Sequence, residues 1–464
     1  MARMFDPKEG RSPLWVAGLG LAACVVGLLV SGAKGQEPDQ KQEPEPPTFT
    51  KDVAPIFQKK CQNCHRQGHS GPFPLETYEH ARRRASDIAF VAESRSMPPW
   101  KPDPEIGPGL KHDLSLTVRE IEIILAWADA DAPLGNPDDM PPTPQFAEGW
   151  PLGPPDLILE PVEDFRIPPS GPDTYRCFVL PTNLTRNIYV SAIDFRPSNT
   201  RVVHHITAFI DVSGMARKRD QAAPGPGYTS FSGPGIPFFD MLGFWAAGHE
   251  PIRLPEGIGL ALPRQSDVIL QIHYTPSGKP EVDRTRLGVY FCKGPVKQAM
   301  HWNAAQNNEF RLPPGESEIE IKASWYVPVD LEALAVSPHM HLLGRDIRMS
   351  VTYPSGQAID LVSIPDWDPS WQSMYHFEEP IPLPAGSVVE VIAHFDNSPH
   401  PRNPHQPPRL VKWGHSANDE MLDGFIAVVK RGQDLTQPRA RDDLGEIFAK
   451  QRLKNIRKDL QGRR

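Results

Sequence analysis

The sequence lacks a strong charge of either sign. It carries 49 Lys and Arg against 57 Asp and Glu over 464 residues, which gives a formal net charge of −8. Proteins that bind nucleic acid usually present a basic surface, because the phosphate backbone is negatively charged. This mild acidity therefore argues against nucleic acid as a partner.

Uninterrupted helical sequence is also scarce. The chain contains 54 prolines and 35 glycines. Proline removes a backbone donor and breaks helices, and glycine weakens helix interiors. Long helices therefore cannot dominate, and turn-rich β structure is the expected class.

Cysteine is scarce, with five in the whole chain. Cys61 and Cys64 form the one CxxC pair, so the chain lacks the second pair that a four-cysteine zinc site requires. Cys177 and Cys292 lie far apart on strand-like segments. In an exported chain these two could form a disulfide, or they could remain as two buried thiols.

Only one apolar run is long enough to concern a membrane. Residues 1–35 combine a positively charged start, an apolar stretch over 14–30 and the small residues "SGAKG", which is the pattern of an export signal. The stretch could also remain as an N-terminal membrane anchor, and "LAAC" ending at Cys24 offers lipidation as a third fate. We expect an exported chain in the bacterial periplasm or cell envelope.

Composition divides the first part of the mature chain into three segments. Residues 36–47 are polar and proline-rich and read as a linker. Residues 48–131 show helical periodicity, and Thr117 followed by Glu120 predicts a capping box at the start of the closing helix. Residues 132–156 are again proline-rich, and we expect a semi-rigid second linker that tethers the helical domain.

The remainder of the chain is predicted to be β-rich. Short apolar runs interrupted by Pro and Gly continue to about residue 432, a pattern that predicts antiparallel sheets arranged as two β-sandwiches. We place these at 157–297 and 298–432. The tail, 433–464, is helical in pattern and basic, and we expect a solvated surface helix.

The motif "CQNCH" at 61–65 predicts a covalently attached haem. In CxxCH sequences the two thiols, here Cys61 and Cys64, add to haem vinyl groups, and the histidine, here His65, ligates the iron. The alternative is a structural CxxC pair. The helical pattern and the export signal favour a small all-α cytochrome c domain with one haem c.

The sixth iron ligand is predicted to be Met97, in the proline-rich loop "SRSMPPW". It is the one methionine between the haem motif and the closing helix, and a thioether ligand raises the haem potential. His69 and His80 are the competing candidates.

Histidines occur inside two apolar strands of the β region. "VVHHITAFI" contains His204 and His205, and "VILQIHYTP" contains His273. Neighbouring residues on a strand face opposite sides, so both adjacent rings can serve one site only if the strand bends or the rings turn to one target. Three imidazoles without a thiolate suit copper or zinc.

A second group of candidate ligands lies further along the chain. In "VSPHMHLLG", His339 and His341 are two residues apart and share a strand face, with Met340 on the other. "GHSANDEMLDG" later supplies Met421. A soft thioether beside two imidazoles favours Cu(I).

From about residue 157 to 430 these motifs resemble the type II, ascorbate-dependent copper monooxygenases, the family of peptidylglycine α-hydroxylating and dopamine β-monooxygenases. The resemblance does not extend to the haem segment. Its motifs occur in the family's order: "YRCFVLP" at 175–181, "HH" at 204–205, "LQIHY" at 270–274, "PHMHLLG" at 338–344 and "DEM" at 419–421.

The resemblance implies two jelly-roll-like β-sandwiches that each hold one copper and face each other across a solvent-filled cleft. It assigns His204, His205 and His273 to an electron-storing copper, the two adjacent rings binding through different ring nitrogens. It assigns His339, His341 and Met421 to the catalytic copper, which activates O2.

The implied reaction inserts one oxygen atom of O2 into a C–H bond of a small-molecule or peptide substrate, and the other atom becomes water. Electrons would come from ascorbate or a periplasmic donor, here by way of the haem. The alternative is a non-enzymatic copper and haem electron-transfer protein. Such carriers usually use a closed, thiolate-containing copper site, which this pattern lacks.

Three positions depart from the peptide-hydroxylating members. Those enzymes hold a substrate carboxylate with an arginine two residues before the HxH pair, and they place an asparagine and a tyrosine near the substrate after the DEM motif. This chain has Ser337, Asp423 and Phe425 there. The resemblance therefore leaves the substrate open.

Overall fold

The computed structural model describes residues 45–146, 149–231, 233–247, 249–251, 253–414 and 418–451. The predicted export signal and the apolar stretch at 14–30 lie outside these ranges. Within them, no helix is both long enough and apolar enough to cross a bilayer.

The helices of the first part of the chain surround a small aromatic core. They are α1 (Ala54–Lys60), α2 (Tyr78–Arg82), α3 (Ala85–Glu93) and α4 (Val118–Asp129), and a further helix, α5 (Met215–Ala222), lies in the β region. The predicted capping box is confirmed: Thr117 Oγ1 accepts from the Glu120 N–H at 3.1 Å, and the Glu120 carboxylate accepts from the Thr117 N–H at 2.8 Å. Phe49, Phe57 and Trp127 are buried together.

The chain from residue 157 onward is mainly β, as predicted. Its first strands are β1 (Leu157–Leu159), β2 (Phe165–Ile167), β3 (Thr174–Pro181), β4 (Ile188–Arg196), β5 (Val203–Asp211), β6 (Tyr228–Thr229), β7 (Met241–Ala246), β8 (Ile258–Leu262), β9 (Asp267–Tyr274), β10 (Glu281–Asp283) and β11 (Arg286–Phe291). The later strands are β12 (Gln298–Gln306), β13 (Arg311–Leu312), β14 (Ile319–Tyr326), β15 (Leu331–His339), β16 (Gly344–Thr352), β17 (Ala358–Ile364), β18 (Tyr375–Leu383), β19 (Val388–Phe395), β20 (Val411–Lys412) and β21 (Asp423–Lys430).

Three larger sheets organise these strands. One sheet has eight strands in the order β1-β11-β4-β8-β12-β21-β15-β18, one has five in the order β6-β3-β9-β5-β7, and one has four in the order β14-β19-β16-β17. Two further pairs, β10-β2 and β13-β20, complete the described strands. Most neighbours are antiparallel, but β8 and β12 are parallel.

Two apolar cores lie on this framework. The first contains residues of the five-stranded sheet and of the eight-stranded sheet, such as Ile206 and Leu287. The second contains residues of the four-stranded sheet and of β12, β21, β15 and β18 of the eight-stranded sheet, such as Val391 and Val428. Strands β12, β21 and β15 contribute residues to both cores, as Ala427 does to the first and Val428 to the second, so one continuous sheet is shared by the two cores.

The segment that follows α3 packs directly along β18, the last strand of the eight-stranded sheet. The Lys111 N–H donates to the carbonyl of His376 at 2.8 Å, and the Glu378 N–H donates to the carbonyl of Gly109 at 2.9 Å. The Asp103 N–H donates to the carbonyl of Ser363 at 2.8 Å, on β17 of the four-stranded sheet. The helical segment therefore contacts the β body through these hydrogen bonds in addition to its connection through the proline-rich linker.

The chain beyond the last strand is helical over 444–451, and the prediction that it is solvated was wrong there. Leu444 is 0% exposed and Phe448 is 2% exposed, because both side chains belong to the second core. The Trp325 indole N–H donates to the Gln451 side chain at 3.0 Å. Residues 452–464 lie outside the described ranges.

A buried ion cluster attaches this C-terminal segment to the sheets. His301 on β12 lies between two carboxylates, with Nδ1 at 3.1 Å from Asp240 Oδ2 and Nε2 at 2.7 Å from Asp442 Oδ2. Burial alone would lower the pKa of His301, but the two carboxylates outweigh it and raise that pKa to about 9. The imidazolium therefore joins the loop before β7 to the C-terminal segment.

Candidate metal centres and the cleft between them

A β-bulge at His204 explains how two adjacent histidines face the same site. On β5, Val203 pairs with Tyr274 of β9, yet His205 pairs with His273, so His204 is the extra residue of the bulge. A bulge interrupts the alternation of side chains and redirects one of them. This bulge is the strand bend that the sequence offered as one way for both adjacent histidines to face one site.

The three imidazoles of this group converge through the same ring atom. His204 Nδ1 lies 3.2 Å from His205 Nδ1, which lies 3.4 Å from His273 Nδ1. Two imidazoles that bind one first-row metal at about 2.0–2.1 Å hold their nitrogens roughly 3.2–3.6 Å apart. The spacing fits a shared ion. The converging atoms are all Nδ1, which favours binding through the same ring nitrogen over the different nitrogens that we expected.

Asp173 and Tyr175 orient the third ring. The Asp173 carboxylate accepts a hydrogen bond from His273 Nε2 at 2.7 Å. Because a carboxylate can only accept, Nε2 carries the proton and the lone pair lies on Nδ1, the atom that faces the other two rings. The Tyr175 ring stacks on His273 at a centroid distance of 4.2 Å.

The electrostatic environment favours the neutral form of His204 and His205. Burial, together with the charge of His273, lowers the pKa of His204 to about 4, and burial lowers the pKa of His205 well below its usual value. The Asp173 pKa is lowered, chiefly by the hydrogen bond from His273. Neutral imidazoles are the form that binds metal ions.

His339 and His341 form the second group, at the end of β15. His339 Nδ1 contacts Gln372 Oε1 at 2.5 Å, and His341 Nδ1 contacts the carbonyl of Asp419 at 2.9 Å. Both partners are acceptors, so each Nδ1 is protonated and each Nε2 carries the lone pair. As predicted, Met340 points the other way and is 0% exposed in the second core.

Glu420 connects the DEM motif to the HxH motif. Its carboxylate accepts the backbone N–H of His341 at 2.9 Å and that of Leu343 at 2.6 Å. Burial raises the pKa of Glu420 to about 8, although these N–H groups favour the charged form. The bridge brings Met421, the next residue, to the loop that carries His341.

One large cleft reaches both groups. It has a volume of about 2530 Å³, and His205, His273, His339, His341 and Met421 all contribute to its walls. Met421 is 4% exposed. The helical residues Phe448 and Gln451 form another part of the wall, so the C-terminal segment helps to enclose this space.

Aromatic rings connect the two groups along one side of the cleft. Tyr175, which stacks on His273, contacts Phe231 at a centroid distance of 4.6 Å, and Phe231 contacts the His341 ring at 5.2 Å. At the first group, the Trp371 ring lies 6.3 Å from the His204 ring, measured between ring centroids. The two candidate centres are therefore linked by packed side chains as well as by the open cleft.

Sequence reasoning missed the residues that orient the ligands: Asp173, Tyr175, Phe231, Gln372 and Glu420. The acidic residues of "PDTYRC" and "DEM" were visible, but no spacing rule relates Asp173 to a histidine 100 positions later. No local sequence pattern identifies Gln372 or Phe231 as part of a site.

The haem motif adopts a geometry that fits axial ligation. His65 Nδ1 lies 3.0 Å from the carbonyl of Phe73, which leaves the Nε2 lone pair for a metal. The His65 N–H and the Cys64 N–H both donate to the Cys61 carbonyl, which gathers the motif into one turn. Burial raises the pKa of the Cys61 thiol to about 12 and also raises that of Cys64, so both sulfurs are neutral thiols.

The candidates for the sixth ligand lie on different elements. Met97 is half-buried after α3, and its N–H donates to the carbonyl of Val91 at 3.1 Å. His80 lies on α2, and its Nδ1 is buried without a hydrogen-bond partner among the described residues. His69 lies in the loop after the motif. The choice of Met97 stays a prediction.

A second cavity separates the haem motif from the first histidine group. It has a volume of about 320 Å³ and is bounded by Asn63 of the CxxCH loop and by Phe244 of β7. Phe244 stacks on His205 at 5.6 Å. The CxxCH loop and Phe244, the ring that stacks on His205, therefore line the same cavity.

Cys177 and Cys292 are both free in the structure. Cys177 is fully buried on β3, and Cys292 follows β11 in another sheet, where its Sγ contacts the carbonyl of Ile258. Of the two alternatives, the structure has free thiols.

No protein-family model matches the chain, and no curated protein sequence matches it. Among solved structures, matches include the VP2 subviral particle of infectious bursal disease virus, with a TM-score of 0.19 and 10% identity over 60% of this chain and 72% of that one. The major capsid protein P2 of bacteriophage PM2 has a TM-score of 0.20 and 8% identity over 56% of this chain and 100% of that one. These likenesses carry no argument about fold or function.

Proposed function

We propose that the chain is a copper-dependent monooxygenase that inserts one oxygen atom from O2 into a C–H bond of a small-molecule or peptide substrate. The observation that carries the proposal is the convergence of three imidazole Nδ1 atoms beside a cleft that also reaches a His-x-His pair and a methionine. The ligands would be His204, His205 and His273 for one copper and His339, His341 and Met421 for the other.

The donor sets fit copper on chemical grounds. Three neutral imidazoles suit a copper that changes oxidation state, and a thioether with two imidazoles favours Cu(I). When bound, the two coppers would supply one-electron transfer and O2 activation. The chain would orient the ligand rings through Asp173, Gln372 and the Asp419 carbonyl, and it would offer the cleft to the substrate.

The proposal includes the fold that the family resemblance implies. The two cores would be jelly-roll-like β-sandwiches, and residues 48–131 a c-type cytochrome domain. Its haem would be attached through Cys61 and Cys64 and ligated by His65 and Met97. Electrons from ascorbate or a periplasmic donor would pass through the haem, and the facing of Asn63 and Phe244 across the second cavity supports this route.

The experiment is metal analysis of the exported protein, followed by oxygen uptake with ascorbate across a set of candidate substrates. One haem, two coppers and a product heavier by one oxygen atom are expected. Zinc in the sites, or a single copper even after reconstitution, would reject the two-copper assignment. Electron exchange between haem and copper without any substrate-dependent oxygen uptake would instead favour the electron-transfer alternative.

A further inference from the structure

The second cavity lies at the contact between the helical segment and the β body. Its wall combines residues of both, with Trp100 and Lys111 from the first and Phe244 and His376 from the second. Small-molecule sites in proteins have volumes of about 300–1,000 Å³ and occur preferentially where domains meet. The volume of this cavity, about 320 Å³, and its position are therefore those of a site for a small ligand.

The deep part of this cavity is apolar. Leu242, Leu260 and Met300 line it, and all three side chains are buried. Removing apolar surface from water is favourable by about 25 cal/mol per Å². The deep part therefore favours the ring or the hydrocarbon chain of a ligand over a polar group.

Two partly exposed imidazoles line the more accessible part of the cavity, His249 in the loop after β7 and His376 on β18. His249 Nε2 lies 2.8 Å from the Ser373 hydroxyl, whereas the His376 ring forms no hydrogen bond with another described residue. Burial lowers the pKa of both imidazoles to about 4, so each ring is neutral and keeps one N–H donor. The His376 ring can therefore donate to a ligand in the cavity.

The charged side chains of the cavity wall are not evenly paired. Each of its three carboxylates has a partner within the chain: Asp113 accepts the Ser115 N–H at 2.6 Å, Asp194 pairs with Arg196 at 3.1 Å, and Glu250 lies 3.5 Å from His112 Nδ1. Neither of its two lysine ammonium groups forms an ion pair or a hydrogen bond with a described residue. Lys59 is exposed, but Lys111 is partly buried, and its charge adds to the effect of burial in lowering the pKa of His376. Lys111 is therefore a partly buried charge without a counter-ion among the described residues.

We propose that the second cavity binds a small organic anion, a carboxylate or an enolate carried on one ring or a short apolar chain. The Lys111 ammonium and a ring N–H of His376 bind the anionic group, and the apolar part lies in the deep part of the cavity. A cationic ligand is disfavoured, because it would bring a second positive charge beside Lys111. The ligand contacts both the helical segment and the β body, so its binding also stabilises the contact between them. The inference does not depend on the proposed function.

The test compares three probes of nearly equal shape: benzoate, benzamide and benzamidinium. Their binding to the full-length protein, loaded with its haem and metals, is measured by calorimetry. We expect benzoate to bind at least about tenfold more tightly than benzamidinium, a difference of about 1.4 kcal/mol. Lys111→Met removes the charge but keeps the backbone hydrogen bond from Lys111 to the His376 carbonyl, and it should abolish that preference.

The exposed Lys51 supplies the matched control, because Lys51→Met removes the same charge outside the cavity and should leave the preference unchanged. His376→Phe, which keeps a ring but removes the donor, is the second variant in case Lys111→Met does not fold, and it should reduce the preference. Benzoate that binds to the coppers instead would keep its affinity in Lys111→Met. That result, equal binding of the three probes, or no benzoate binding up to about 10 mM would overturn the site.

Discussion

Asp173 accepts a hydrogen bond from His273 Nε2 at 2.7 Å, and the same carboxylate oxygen lies 3.2 Å from the Thr275 hydroxyl. The carboxylate thereby fixes both the tautomer and the orientation of a ring whose other nitrogen faces His205. Carboxylates in this position raise the basicity of a ligating imidazole. Asp173 is thus expected to control metal binding without touching the metal.

Replacing Asp173 with Asn should weaken the first copper site about 10–100-fold, because the ring loses its fixed tautomer and its charged partner. The measurement is a competitive copper titration that resolves the two sites. The second copper serves as the internal control and should be unaffected. Equal loss of both coppers would indicate general unfolding, and unchanged affinity at the first site would contradict the orienting role.

Met421→Ala should remove Cu(I) binding at the second site and abolish oxygenation, while the three-histidine site keeps its copper. The reason is that the thioether is the one soft ligand proposed there. Met340→Leu is the matched control, because Met340 is buried in the core on the opposite face. We expect this control to cost less than about 1.5 kcal/mol of stability and to retain both coppers. Normal turnover by Met421→Ala would show that Met421 is not a ligand of the second copper.

The His301 cluster predicts a loss of stability at alkaline pH. The folded-state pKa of His301 is raised from 6.5 to about 9, so its contribution is complete below pH 6.5 and is lost as the pH rises through 9. The shift corresponds to about 3 kcal/mol. Denaturant unfolding as a function of pH should show this fall, and it should be reduced in Asp442→Asn.

The control for this pH profile is His394→Gln, at a partly exposed histidine of the four-stranded sheet. It should leave the alkaline fall unchanged. A wild-type stability that stays flat from pH 6.5 to 9 would contradict the buried imidazolium.

Haem-to-copper electron transfer is expected to be intramolecular, because the segment after α3 is hydrogen-bonded to β18. In stopped-flow mixing, reoxidation of the reduced haem should match Cu(II) loss at a rate independent of protein concentration. Gly107→Ala should slow this transfer, since a Cβ there would lie 3.0 Å from the carbonyl of Leu361 and push the segment away.

Gly149→Ala is the matched control for Gly107→Ala. Both glycines have a positive φ, +94° and +76°, but nothing lies within 4 Å of a Cβ at Gly149, so the two variants share the backbone strain and differ in the clash. Haem that stays reduced beside Cu(II), or that reoxidises only by bimolecular encounter, would rule out transfer within one chain.

The sequence allowed the β class, the capping box of α4 and the candidate ligands to be predicted, because periodicity and short motifs are local signals. The bulge at His204 could not be predicted, since it exists only in the register between β5 and β9. The burial of Phe448 was missed because a basic tail suggested solvent, whereas its apolar side chains had a partner in Trp325. The contact between residues 109–111 and β18 could not be predicted either, because it is made by backbone hydrogen bonds that any sequence can form.

That docking has a consequence for any shortened form of the protein. With residues 109–111 in place, the His376 carbonyl and the Glu378 N–H of β18 are engaged. Without them, these two backbone groups would be exposed at the edge of the eight-stranded sheet, and sheets from separate molecules can add to one another through such exposed edge groups. We expect a fragment that starts at residue 157 to retain all the proposed copper ligands and yet to aggregate more readily than the full chain. The segment before residue 157 would then protect the protein from aggregation, in addition to any part in redox chemistry.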